Sequence, residues 1–331
     1  MDAMQPNAMP ISEAPPTAAA SPEAAQFKHT PVLLEEVLHL APAQCRLVAD
    51  VTLGGGGHAR ALLDRYPESE LFGCDRDPAA VAAAGQALAP CANRILLKQI
   101  PFSALHRYLL MESVDFMLGD LGVSSPQLES AGRGFSFTQD GPLDMRMDPL
   151  SGGTGAEQLV NTASEERLQE IFFRFGEERF GTRIAKAITA ARHESPITTT
   201  GELAALVAGA VPARFHRKGH HPATKVFQAL RIAVNDELGE LEQLLEHALH
   251  LLRPGGRIAL ISFHSLEDRM VKTAFNRWEK PCTCPPKLPK CVCGKTSAGM
   301  RLSRKPVTAG AAEAQANPRS RSAKLRAFEK R

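Results

Sequence analysis

The chain has 331 residues, 44% of them hydrophobic, enough for one large domain or two modest ones with a real core. Its formal net charge of +3 is only mildly basic, so a nucleic-acid role has to come from where the charge lies and not from its total. No run of about 18 apolar residues occurs, which excludes a membrane-spanning helix. The seven cysteines, without a signal-type N-terminus, point to the reducing cytoplasm.

Residues 1–25 are rich in Ala, Pro and Ser, with Pro6, Pro10, Pro15, Pro16 and Pro22 interrupting any helix, and read as a disordered tail. The fold is expected to start at Thr30-Pro31, an N-cap and first-turn proline opening the helix "TPVLLEEVLHL". Short β-branched runs then alternate with amphipathic helices, from "RLVADVTL" through "HARALLDRY", "LFGCD", "PAAVAAAGQAL", "RILLKQ" and "FSALHRYLL" to "VDFMLGDL". That rhythm predicts parallel βαβ units, four strands complete by Leu121, and a ligand site at the carboxyl ends of the strands. Between 126 and 225 a Gly/Pro/Met-rich loop and helical patterns take over with no clear strand, which predicts an inserted helical domain. The α/β pattern resumes at 226 with one long helix, "KVFQALRIAVNDELGELEQLLEHALHLL", the turn "RPGG" and a fifth strand, "RIALISF". Residues 26–125 and 226–331 are therefore expected to form one sheet domain around the insertion, with "RKPVTAG" and "RSAKLRAF" as short edge strands.

Four consecutive glycines, Gly54–Gly57, stand between the first strand and the helix after it, where a ligand would meet a helix N-terminus. A P-loop is excluded, because His58 follows the last glycine and no Lys-Ser or Lys-Thr does. A dinucleotide fits, since Gly54, Gly56 and Ala59 satisfy G-x-G-x-x-[GA] and Asp75 ends the next strand as a ribose-binding acid. S-adenosylmethionine fits as well, being a ligand with a ribose and an amino-acid moiety but no phosphate. Asp120 at the end of the fourth strand, Asp50 before the glycines as an ammonium acceptor, and the helix-turn-strand "LHLLRPGGRIALISF" favour it.

The blocks "HTPVLLEEVL", "GGGGHA", "DRDP", "PFSAL", "DLGVSSPQL", "RGFSF", "GPLDMRMD", "LRIAVNDEL", "LRPGGRIALISFHSLEDRMVK" and "NPRSRSAKLR" run from His29 to Arg326. In content and order the sequence resembles the bacterial RsmH family, also called MraW, the small-subunit ribosomal RNA cytosine-N4 methyltransferases. The resemblance implies a Rossmann-like class I S-adenosylmethionine-dependent methyltransferase sheet with an inserted helical domain, acting on N4 of a decoding-centre cytidine in 16S rRNA. It places cofactor contacts on Gly56, Gly57, His58, Asp75, Phe102, Asp120 and Gln127. Many amino-methyltransferases carry a D/N/S-P-P-aromatic loop after the fourth strand; here it reads Asp120-Leu121-Gly122-Val123-Ser124-Ser125-Pro126. An acceptor on an amino hydrogen, Asp120 or a nearby backbone carbonyl, is expected to orient the lone pair and help carry off the proton, and the departure from that loop leaves the choice between them open.

On the substrate side, no carboxylate lies between Glu202 and Asp236, while Arg214, Arg217, Lys218, Lys225 and Arg231 accumulate there, a candidate phosphate-binding run. A second basic stretch holds Arg319, Arg321, Lys324, Arg326, Lys330 and Arg331. Arg133, Phe135 and Phe137 in "RGFSF" are candidates to stack on an unstacked base, or else to pack in the core. His264 is a further candidate to meet RNA. Cys282, Cys284, Cys291 and Cys293 form two C-x-C pairs that suit zinc, although the resemblance requires no metal. Two rivals remain at this stage: a DNA amino-methyltransferase, and a ribosome assembly factor that keeps the fold without turnover.

Overall fold

The computed structural model describes residues 31–216, 219–285 and 292–331. Its centre is a seven-stranded sheet of order β3-β2-β1-β4-β5-β7-β6. The strands are β1 (Leu47–Asp50), β2 (Glu70–Asp75), β3 (Ile95–Gln99), β4 (Val114–Asp120), β5 (Leu252–Ser262), β6 (Gly299–Arg301) and β7 (Lys324–Lys330). β1 to β5 pair in parallel, and β7 enters antiparallel between β5 and β6. This is the expected Rossmann-like α/β sheet with an inserted helical unit.

The sheet is buried on both faces because alternate residues of each central strand are apolar in both directions. Val48, Phe116, Leu118, Ala259, Ile261 and Leu325 face one core, which α1 (Leu34–Leu40), α2 (Gly57–Arg65) and α3 (Pro78–Ala87) close with Val37, Leu62, Leu63 and Ala84. Ala49, Met117, Ile258, Leu260 and Phe328 face the opposite core. After β4 come the short α4 (Ser125–Glu129) and then α5 (Ala156–Thr162), α6 (Glu165–Gly176), α7 (Gly181–Glu194), α8 (Thr200–Ala210) and α9 (Thr224–Asn235). They are followed by α10 (Glu237–Leu251) and α11 (Ser265–Glu279), which cover the second face with Leu241, Leu244, Leu245, Val271 and Phe275, and by α12 (Ala311–Ala316).

Helices α5 to α9 enclose a third core of their own. Leu168, Ile171 and Phe172 of α6 and Ile184 and Ile188 of α7 meet Leu203 and Val207 of α8 and Phe227 and Leu230 of α9. Within 126–225 the described residues contain no strand, and Pro142 and Thr199 form an isolated bridge.

Four expectations need correction. Thr30 lies outside the described residues, and the first helix begins at Leu34, because Leu33 takes a left-handed conformation (φ 55°). The long helix is two: Asp236 (φ 48°) turns the chain left-handed, as Asn and Asp tolerate, sending α9 to the helical core and α10 to the sheet. The sheet unit therefore resumes at α10, since α9, which spans residue 226, packs in the helical core. "RKPVTAG" gives only a single bridge, Val307 to Leu325, and the edge strand is β6 instead.

Candidate functional site

The strand order reverses between β1 and β4, and in parallel sheets a crevice opens there at the carboxyl ends. A cavity of about 320 Å³ occupies that position, walled by Thr52 to Gly55, Gly57, His58, Asp75, Phe102, Asp120 and Gln127 among others. Seven residues were expected to hold the cofactor, and six of them line it. Gly56 does not: it adopts φ 78°, and a Cβ there would come 3.3 Å from the Cα of Ala84, so its role is the turn and the approach of α2 to α3. Gly54 and Gly55 take its place on the wall. A Cβ on Gly57 would lie 2.6 Å from Cγ of Pro31, which also borders the cavity.

Each carboxylate oxygen of Asp75 accepts one backbone N–H, from Gly54 (3.0 Å) and from Asp77 (2.9 Å). This fixes the carboxylate's plane and leaves each oxygen a further lone pair for a ligand. Burial pushes the Asp75 carboxyl up to about 6, partly offset by those two N–H groups. Asp50 is 2% exposed, accepts from the Thr52 N–H, and lies beneath the loop and off the cavity wall; burial pushes it up to about 7.

Asp120 is held by its backbone N–H, which donates to Oγ1 of Thr52 at 2.6 Å. Its Oδ2 lies 3.9 Å from Nδ1 of His58, while its Oδ1 is buried with no hydrogen-bond partner among the described residues. Burial, reinforced by the charges of Asp50 and Glu267, raises its carboxyl well above the ordinary range. A buried acceptor without a protein donor calls for a functional explanation, and Asp120 stands on the cavity wall.

Gln127 is 5% exposed, and its amide is already engaged: Oε1 accepts from the Ser124 N–H at 2.9 Å and Nε2 donates to Asp77 at 2.8 Å. Asp77 in turn caps α3 and pairs with Arg133 at 2.9 Å. Gln127 thus ties the loop after β4 to the one after β2. Gln127→Leu is expected to cost about 1–2 kcal/mol of stability by leaving Ser124 and Asp77 short of partners, readable by thermal or urea denaturation; an unchanged midpoint would remove this positioning role.

The proposed RNA contacts separate. Arg133 is absorbed by Asp77 and by the carbonyl of Met147 (2.9 Å), and Phe135 is 6% exposed inside the helical core, so this half of "RGFSF" is structural. Phe137 is half-buried, edge-on to Phe227 and 4.7 Å from the exposed His221 ring. Arg214 is exposed over Phe215 (5.0 Å), whose ring also carries Arg179 at 4.1 Å. Arg217 and Lys218 lie outside the described residues. His264 caps α11 and its Nε2 meets Glu267 at 3.1 Å; Glu267 is buried, yet His264 and Arg231 hold its carboxyl below the usual value.

Several wall residues escaped the sequence reading. Arg231, counted there with the basic run, instead turns inward and grips Glu237 through two hydrogen bonds of 2.7 and 2.8 Å. Its partner lies just beyond the acid-free run, across the helix break, where a charge count cannot pair them. Glu267 stands three residues after the N-cap His264, a capping-box spacing that could have been read. Arg319 donates to Ser125 and Glu129 at the cavity rim, and Lys324, Arg326 and Lys330 are in ion pairs, so most of the C-terminal basic stretch is neutralised internally. No described helix is long and apolar enough to cross a membrane.

Similarity to known proteins agrees with this geometry. The Ribosomal RNA small subunit methyltransferase H of Symbiobacterium thermophilum is 51% identical, over 92% of this chain and 97% of its own. Those of Geotalea uraniireducens and Geobacter sulfurreducens are 50% and 51% identical, each over 92% of this chain and 99% of theirs. An rRNA methylase crystal structure from Streptococcus thermophilus covers 90% of this chain and 93% of its own at a TM-score of 0.38 and 10% identity, too distant to argue from. The sequence model of the MraW methylase family matches residues 26–331, from before the first described helix to the last residue of the chain. A nearly full-length match, on a sheet whose switch-point cavity gathers Asp75 and Asp120, places this chain in the MraW methylase family.

Proposed function

We propose that this methylase transfers a methyl group from S-adenosylmethionine to N4 of a cytidine in 16S rRNA of the small ribosomal subunit. The observation that carries the cofactor is Asp75 at the carboxyl end of β2: backbone N–H groups hold both its oxygens in place on the wall of the cavity that Asp120 of β4 also lines. The substrate rests on the names of the relatives and on the family resemblance, which also supplies the cytidine and its N4.

Bound in this cavity, S-adenosylmethionine supplies a methyl group on a sulfonium, an electrophile whose leaving group is a neutral thioether. Asp75 accepts the two ribose hydroxyls, and Phe102 offers a face to the adenine from the start of the turn after β3. Gly54, Gly55 and Gly57 let the backbone line the amino-acid end. The cytosine N4 lone pair is delocalised into the ring, so alignment contributes much of the rate. The Asp120 carboxylate accepts a hydrogen bond from N4–H, turning the lone pair to the methyl group, and takes the proton released as the new N–C bond forms. Its raised pKa suits that proton acceptance.

Calorimetry is expected to show binding of S-adenosylmethionine and S-adenosylhomocysteine and none of NAD(P)H. Tight NADH binding with no adenosylhomocysteine signal would sink the cofactor assignment. Transfer to small ribosomal subunits but not to duplex DNA, with N4-methylcytidine identified by mass spectrometry, tests the substrate. Activity on DNA alone, or none with bound cofactor, would support the DNA-methylating or non-catalytic reading.

A further inference from the structure

The loop 280–298 leaves α11 and returns to the same place. Ala298 N–H donates to the Trp278 carbonyl at 2.9 Å, and Arg301 closes on Glu279 through its backbone N–H (3.1 Å) and Nε (3.0 Å). Its described residues hold no regular secondary structure, and a loop of this length needs some other means of holding one shape. Within it the sulfurs of Cys282, Cys284 and Cys293 lie within 4.8 Å of one another. Free cysteine ordinarily behaves as a small buried hydrophobe, as Cys45, Cys74 and Cys91 do here. These three do the opposite: Cys282 is exposed, and the other two are half-buried.

Three thiols gathered at a surface are not explained by burial. Sulfurs on a tetrahedral zinc with Zn–S bonds of about 2.3 Å stand roughly 3.8 Å apart, so the observed cluster needs only a small contraction to become a ligand set. Lys280 and Lys295 flank it in sequence and favour the thiolate form. Cys291, two positions before Cys293, lies outside the described residues; three donors define the site and leave a fourth position open.

We propose that Cys282, Cys284 and Cys293 bind a zinc ion that ties residues 282–284 to residue 293 beside the antiparallel end of the sheet. Each thiol gives up its proton to solvent as its sulfur takes the metal, and no electron is transferred. The site is separate from the methyl-transfer cavity, so it stands or falls independently of the proposed activity.

The test uses the full chain, produced without a polyhistidine tag and kept reduced. Elemental analysis is expected to find about one equivalent of zinc per chain. Cobalt(II), introduced after chelation, should give the thiolate charge-transfer and d–d bands of a tetrahedral sulfur site. Cys282→Ser/Cys284→Ser should reduce both signals to background while leaving adenosylhomocysteine affinity unchanged. Should that variant fail to fold, the cobalt spectrum of the wild-type chain still decides. A chain free of metal and without cobalt–thiolate bands would overturn the proposal, as would a metal-free chain whose alkylated lysate shows two of these cysteines joined in a disulfide.

Discussion

Asp75→Ala is expected to weaken adenosylhomocysteine binding by about 1.5–3 kcal/mol, the range for hydrogen bonds to a charged group, or roughly 10- to 160-fold. The size follows from the preorganisation of Asp75: two backbone N–H groups fix the carboxylate before any ligand arrives, so little ordering is left to oppose the ribose contacts. The same acid should make binding depend on pH. Ribose hydroxyls are held by the ionised form, and burial places the Asp75 titration at about 6, so affinity should fall as pH drops through that value and level off above it. In the free protein the sign for folding is opposite. A carboxyl raised from 3.8 adds stability that is full below that value and is lost as pH rises through about 6. The thermal shift produced by the ligand should therefore grow across this interval. Asp50 and Asp120 carry raised values of their own, and the Asp75 charge contributes to that of Asp50, so the difference between wild type and Asp75→Asn reads Asp75 together with its coupling to Asp50. Unchanged affinity in a folded Asp75→Ala would remove this residue from the site.

Replacing Arg214, Arg217 and Lys218 together with alanine is expected to weaken binding to the small subunit and to flatten the log–log salt dependence by up to about 2–3 units. Each phosphate contact contributes slightly less than one unit through counterion release. Arg214 is the described member of this run, exposed and stacked over Phe215 beside Arg179, with no carboxylate in the surrounding sequence to neutralise it. Cofactor affinity should not change, because Arg214, the described member of the three, does not border the cavity. Titrations of both ligands over a salt series decide the matter. An unaltered slope reduces the run to a solvated loop, and a lost cofactor affinity would mean that the helical unit is coupled to the cavity more closely than proposed here.

Much of the fold was legible because its signals are local. The alternation of short apolar strands and amphipathic helices marks the parallel sheet, and the glycine run with Asp75 and Asp120 at strand ends marks the cavity, since a parallel sheet must present its carboxyl ends to whatever binds there. The change of pattern after Leu121 likewise announces the helical insertion.

What the sequence left open were pairings between distant residues. Of the two acids of β4, the strand end already points to Asp120, but what Asp115 does is invisible in sequence. Only the tertiary structure shows that Asp115, at the far end of the strand, takes the N–H groups of Arg46 and Leu47 (2.9 and 2.8 Å) together with Arg253, while Asp120 lines the cavity. In the same way Arg231 reads as a phosphate contact until the turn at Asp236 brings Glu237 onto it, and Phe135 and Phe137, two residues apart, divide between core and surface. Residue type and spacing fix what a side chain is able to do, but whether its charge or ring is still available depends on partners that only the folded chain brings within reach.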